Sequence, residues 1–178
     1  DPSRPYHKTY TSDMDRPSYD GAQWTYLNLP MDEIKPLAIA SIKDSTMMYF
    51  SCDVGKFLNS KTGILSLRNY DYASLFATDF PLTKAERIAT FASASSHAMT
   101  LMAVDLDAEG KARKWKVENS WGPTSGHRGH LIMTDEWFDE YMFRLVVDRR
   151  YLPAATLRLL DQEPVKLPAW DPLFAGEE

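Results

Sequence analysis

Two apolar runs joined by a short polar turn constrain this chain more than any other feature. The first is His97-Ala98-Met99-Thr100-Leu101-Met102-Ala103-Val104-Asp105. The second is Trp115-Lys116-Val117-Glu118-Asn119-Ser120-Trp121-Gly122. Between them lies Asp107-Ala108-Glu109-Gly110, and the whole reads as a β-hairpin. His97 opens the first run and Asn119 stands near the close of the second, so antiparallel pairing brings both to the open end.

Counting residues tests that idea. With Ala108-Glu109-Gly110 as a three-residue loop, Asp107 faces Lys111 and Met99 faces Asn119. His97 is then diagonal to Asn119 on the same face, a separation of ~7–8 Å at the backbone. A two-residue loop would move the register by one and put the pair on opposite faces. Trp115, Val117 and Asn119 share one face of the second strand, and Lys114, Lys116 and Glu118 share the other. An amide on an apolar face needs a partner, because burying it unpaired costs roughly 1–3 kcal/mol. A histidine ring serves. The residues alone allow two readings: a core histidine satisfied by a buried amide, or a pair that moves protons.

Longer strings decide between them. His-Ala-Met at 97–99 and Glu-Asn-Ser-Trp-Gly at 118–122 resemble the histidine and asparagine segments of papain-like cysteine proteases. Lys114-Trp115-Lys116-Val117-Glu118, Met133-Thr134-Asp135-Glu136-Trp137-Phe138, Asp161-Gln162-Glu163-Pro164 and Leu167-Pro168-Ala169-Trp170-Asp171-Pro172 resemble the bleomycin hydrolase/aminopeptidase C family, as does Ser51-Cys52-Asp53-Val54-Gly55-Lys56. The resemblance runs from about Asp1 to Pro172. It implies an α+β fold, the C-terminal, β-rich part of a papain-like cysteine peptidase, with an antiparallel sheet and packed helices. It also implies a thiol-protease pair. His97 takes the proton of a nucleophilic cysteine and returns it to the leaving amine, and Asn119 orients the ring. Trp121 would cover their bond from water.

The nucleophile is missing from this reading. The only cysteine, Cys52, lies in an apolar strand-like run, whereas a reactive thiol needs an exposed, electropositive setting such as a helix N-terminus. Neither the nucleophile motif nor an oxyanion-hole glutamine motif of the resembled family is present, so Cys52 reads as structural. The chain supplies base and orienter only, and its partner is the missing N-terminal half of the same protein. By resemblance the complete enzyme is a cytoplasmic cysteine aminopeptidase acting on peptide substrates, needs no metal or other cofactor, and assembles as a homohexamer. The resemblance also places the chain's end in the substrate cleft, where a terminal carboxylate meets the substrate's free amine. Glu178 is the candidate, beside Glu177; an acidic tail without order is the other reading. The alternative for the whole chain is a non-catalytic assembly or binding module.

Composition is compatible with this and excludes other classes. The 178 residues suffice for one domain with a real core, and 44% hydrophobic with 25% charged residues is ordinary for a globular chain. A net charge of −5 argues against a dedicated nucleic-acid surface. There is no apolar run long enough for a membrane span. A single cysteine excludes an internal disulfide and suits a reducing compartment. The chain starts at Asp1 without Met and reads as a processed product or a fragment.

In order, residues 1–26 read as an extended segment tied down by Tyr6, Tyr10, Tyr19 and Trp24. A short strand follows at 26–29, then a helix from Pro30 to about Ile42 in which Pro36 is early enough to be tolerated. Met47–Cys52 is a buried strand, 53–65 a loop, and Tyr70–Ala77 a short helix. Thr83-Lys84-Ala85-Glu86 has the form of a capping box opening a helix to about Ser93. After the hairpin, 122–129 is a polar loop, His130–Met133 a strand, and Thr134 caps a short helix. Phe143–Val147 is a strand, Pro153–Leu160 a helix with Pro at its first position, and 161–178 an extended tail. Asp105–Gly110 is a turn rather than a calcium loop. His127 and His130 lack a third zinc ligand and read as solvated loop residues.

Overall fold

The computed structural model describes residues 1–13 and 15–173. Ten strands occur among the described residues: β1 (Lys8–Ser12), β2 (Tyr26–Asn28), β3 (Met48–Cys52), β4 (Leu58–Asn59), β5 (Ile64–Leu65), β6 (His97–Leu106), β7 (Ala112–Glu118), β8 (His130–Thr134), β9 (Met142–Leu145) and β10 (Val165–Leu167). The helices are α1 (Met31–Lys43), α2 (Tyr72–Phe76), α3 (Lys84–Ala89), α4 (Asp135–Tyr141) and α5 (Ala154–Leu159). A seven-stranded sheet runs β4-β5-β8-β7-β6-β3-β9 and a three-stranded sheet runs β10-β1-β2. All pairs are antiparallel except β5 with β8 and β1 with β10. The class is α+β, with a largely antiparallel sheet carrying packed helices.

Alternation builds the large sheet. Met48 and Phe50 of β3, Met99 and Leu101 of β6, Trp115 and Val117 of β7, and Leu131 and Met133 of β8 all turn to one buried face. Helix α4 closes that face: Phe138 stacks between Trp115 (4.7 Å between centroids) and Phe50 (5.6 Å). Burying indole rings requires partners for their N–H groups. Trp115 Nε1 donates to Asp135 Oδ1 at 2.9 Å and Trp137 Nε1 to the Lys56 carbonyl at 2.8 Å. Lys35 of α1 bridges Asp135 and Asp139, joining α1 to α4.

The caps follow the sequence. Thr134 accepts from Trp137 N, and Thr83 and Glu86 form the reciprocal capping box. Helix α3 is shorter than the expected run to Ser93, because Phe91 adopts a left-handed φ of 59°. Pro36 lies in the second turn of α1, on its exposed side, and the helix continues through it. Pro153 is the N-cap of α5 rather than its first residue. The expected loop at 53–65 contains the short hairpin β4–β5. Only Tyr10 among the expected anchors of the N-terminal segment is buried; Tyr19 is 97% exposed.

The N-terminal segment and the tail meet in the small sheet. Tyr10 of β1 pairs with Val165 of β10, and Tyr10, Leu167 and Leu173 form a second apolar cluster. Arg4 holds the buried carboxylate of Asp171, and Arg144 donates to the Leu173 carbonyl at 3.2 Å. Glu177 and Glu178 lie outside the described residues. No helix among the described residues is long and apolar enough to cross a membrane.

A shelf of side chains between β5 and β6 stays uncovered. Residues 70–83 are all exposed, and α2 buries nothing. Tyr72 nevertheless packs against Phe57, Tyr70, Phe76 and Phe80 at 5.5–6.5 Å between centroids.

Candidate active site

The hairpin β6–β7 delivers His97 and Asn119 as counting residues suggests, by a less direct route. At the open end Thr100 pairs with Glu118, and beside the turn Leu106 pairs with Ala112. Both pairs belong to the expected register. Between them Val104 pairs with Trp115, one residue out of step. A bulge between Leu101 and Ala103 introduces the slip, and a second between Asp105 and Leu106 removes it. The turn is closed by Asp107, whose backbone N–H donates to the Lys111 carbonyl at 2.9 Å and whose Oδ1 accepts from Glu109 and Lys111 N–H.

His97 Nε2 and Asn119 Oδ1 are 2.8 Å apart. The same oxygen accepts the Ser120 backbone N–H at 2.8 Å, which fixes the amide with its oxygen toward the ring. An oxygen accepts only, so Nε2 must carry the proton and donate it. Nδ1 is then the ring's proton acceptor. Asn119 is itself held by its backbone N–H, which donates to the Gly129 carbonyl at 2.9 Å. Its Nδ2 is buried without an acceptor among the described residues. Trp121 lies against the histidine, with ring centroids 5.0 Å apart and planes at 33°, while remaining 44% exposed on its outer side. This arrangement can hold an imidazole in one orientation and one tautomer, with its second nitrogen available for a proton.

Cys52 is brought opposite His97 by the β3–β6 ladder, yet it is fully buried. Burial, with the neighbouring Asp53 charge, pushes its thiol far above the usual cysteine range. A thiol held protonated in an apolar core is a poor nucleophile.

Residues 93–96, which lead into His97, form a strap that sequence reasoning missed. Ser93 Oγ donates to Asp53 Oδ2 at 2.6 Å, Ser95 Oγ to Ser51 Oγ at 2.9 Å, and Ser96 N–H to the Cys52 carbonyl at 3.1 Å. The one available hint was a carboxylate directly after the apolar run of β3, inside the string Ser51–Lys56.

The other candidates stay apart. His127 and His130 are joined through their backbones in an isolated bridge, and the described residues hold no group of three metal-ligating side chains. A cavity of about 350 Å³ lies between the small sheet and β9, lined by Tyr10, Tyr26, Leu37 and Phe143 among others. A shallower cleft of about 460 Å³ adjoins Asn119 and Tyr49. Neither includes His97.

Known proteins give this geometry a context. The human bleomycin hydrolase is 45% identical over 180 residues, which cover 99% of this chain and 40% of that protein. Aminopeptidase C of Lactococcus lactis subsp. lactis is 40% identical over 172 residues, 97% of this chain and 39% of the relative. The crystal structure of PepW from Lactobacillus rhamnosis superposes with a TM-score of 0.92 at 39% identity, covering 97% of this chain and 39% of that one. The chain thus spans about two fifths of the length of these relatives, and what it matches is their C-terminal portion. The sequence profile of the Peptidase C1-like family matches residues 1–174, and the chain belongs to that family.

Proposed function

We propose that this chain is the histidine- and asparagine-bearing part of a cysteine aminopeptidase that removes N-terminal residues from peptides. The observation that carries the reading is the 2.8 Å bond from His97 Nε2 to an Asn119 oxygen whose orientation Ser120 fixes. It leaves Nδ1 free to accept a thiol proton. The nucleophilic cysteine belongs to the remainder of the protein, because Cys52 is buried and held protonated. The thiolate attacks the scissile carbonyl and forms an acyl-enzyme. The imidazolium of His97 gives its proton to the leaving amine, then takes one from the hydrolytic water. Trp121 shields the His97–Asn119 bond from water, which strengthens it.

The carboxylate of Glu178 is assigned to meet the substrate's free amine, which restricts cleavage to N-terminal residues. Shortening the tail of the complete enzyme should then convert it toward endopeptidase activity. By the same resemblance the complete enzyme works in the cytoplasm as a homohexamer, without a metal.

The test is hydrolysis of a fluorogenic aminoacyl substrate by this chain alone and with the remainder of the polypeptide. The expected result is no turnover alone, turnover on mixing, and a loss of about a hundredfold in kcat with Asn119→Ala. Activity of the chain alone that alkylation abolishes would make Cys52 the nucleophile and overturn the assignment. A mixture that folds together and stays inactive would favour a binding module instead.

A further inference from the structure

We propose that Asp53 is a positioning residue for His97, acting through Ser93; this deepens the function proposed above and rests on it. His97 is the first residue of β6, and its pairing with Cys52 is the last rung of the β3–β6 ladder. The end of a ladder frays unless something holds the chain beyond it. Here the chain before His97 is the strap 93–96, which belongs to no helix or strand. It leaves α3 through Phe91, a residue with a left-handed φ of 59°. Three consecutive residues at the end of β3 receive it. Ser51 takes the hydroxyl of Ser95, the Cys52 carbonyl takes the N–H of Ser96, and the Asp53 carboxylate takes the hydroxyl of Ser93.

The Asp53 contact differs in kind from the other two. Asp53 is 0% exposed and Ser93 3% exposed, so both groups have left water. A carboxylate persists in such a place only where hydrogen bonds replace its hydration. The 2.6 Å Ser93 bond is short, as a charge-assisted bond is, and it acts over 40 residues of sequence. The Asp53 backbone is fixed in turn, its N–H donating to the Tyr141 carbonyl at the end of α4 at 3.0 Å. The carboxylate is thus anchored to the helix that closes the core, and the strap is anchored to the carboxylate. The Ser93 bond of Asp53 reaches neither the His97 ring nor the Asn119 amide directly. It sets where the backbone of His97 begins. The Asp53 charge also helps hold the Cys52 thiol, directly opposite His97, in its protonated form.

The test uses the complete enzyme and the variants Asp53→Asn, Ser93→Ala, Ser93→Thr and the double variant Asp53→Asn/Ser93→Ala. Rates are expressed per active thiol, titrated with an irreversible thiol reagent, so that loss of folded protein drops out. We expect kcat to fall about tenfold in Asp53→Asn and Ser93→Ala, with KM within a factor of about two. The double variant should be no slower than the slower single one, because both remove the same link. Ser93→Thr keeps the hydroxyl and should recover most of the loss. Unchanged kcat per titrated thiol would overturn the proposal, as would a Ser93→Thr variant no faster than Ser93→Ala, or losses that multiply in the double variant. If wild-type enzyme lacked peptidase activity, or His97→Ala retained it, the underlying function would fail instead.

Discussion

A buried thiol and a histidine face each other across one rung of the β3–β6 ladder, and the thiol is the one wholly shut away from solvent. Cys52 should therefore resist alkylation in the native chain and react fully in denaturant, as mass spectrometry of the labelled protein would read. Cys52→Ala in the complete enzyme should keep turnover while costing about 1 kcal/mol of stability. Lys84 is the other residue whose setting predicts a measurement. Its ammonium donates to the carbonyls of Asp139 (2.6 Å) and Met142 (2.7 Å) at the end of α4. Burial lowers its pKa to about 8 from an ordinary 10.5, against the opposing pull of Glu140 and Asp139 and with the help of Arg87 and Lys35. Between those two values the unfolded chain binds more protons than the folded one, so this group's contribution to stability rises with pH across that window. Below pH 8 the folded state bears the full cost of the buried charge. The melting temperature of wild type relative to Lys84→Met should accordingly climb from pH 8 to 10.5, as calorimetry would show.

At the scale of elements, the β6–β7 hairpin is tied at both ends and runs one residue out of step in the middle. Loop chemistry fixes the turn, and the 122–129 loop fixes the open end through the Gly129 carbonyl on Asn119. That loop depends on Gly126, which has a φ of 56°; a Cβ there would meet the His130 carbonyl oxygen at 2.5 Å and Leu131 Cδ2 at 2.8 Å. Gly126→Ala should cost about 2 kcal/mol or more and loosen the Asn119 end. Chemical denaturation together with turnover of the complete enzyme would check both effects. The hairpin, its register at the open end, the caps at Thr83 and Thr134 and the strand Met48–Cys52 were legible because each rests on residues adjacent in sequence. The two bulges were not, since they cancel and leave the count at both ends unchanged. The pairing of β1 with β10 was not legible either: Thr9, Thr11 and Ser12 carry no apolar alternation, and they are buried because a distant strand covers them. The His97–Asn119 contact could be counted from the sequence. The Asp53–Ser93 contact spans loop geometry that no period encodes.

For the molecule as a whole, the aromatic shelf from Tyr70 to Leu82 stands against the economy of the rest. Leu75, Phe76 and Phe80 are each more than half exposed. Contiguous apolar surface of this sort drives association. The isolated chain should self-associate and bind an apolar fluorescent dye, and both effects should fall when Leu75 and Phe76 are replaced by Lys. Sedimentation velocity showing a monomer that binds no dye would contradict this. The small sheet carries a different consequence. Its central strand β1 is made near the start of the described chain, and its parallel partner β10 more than 150 residues later. As the chain leaves the ribosome, every strand of the large sheet is complete before Val165 emerges. One edge of β1 therefore waits with open N–H and C=O groups, the state in which strands pair with the wrong neighbour. The small sheet is expected to be the last piece to assemble, and a stalled or shortened chain is expected to leave that edge for another molecule to take.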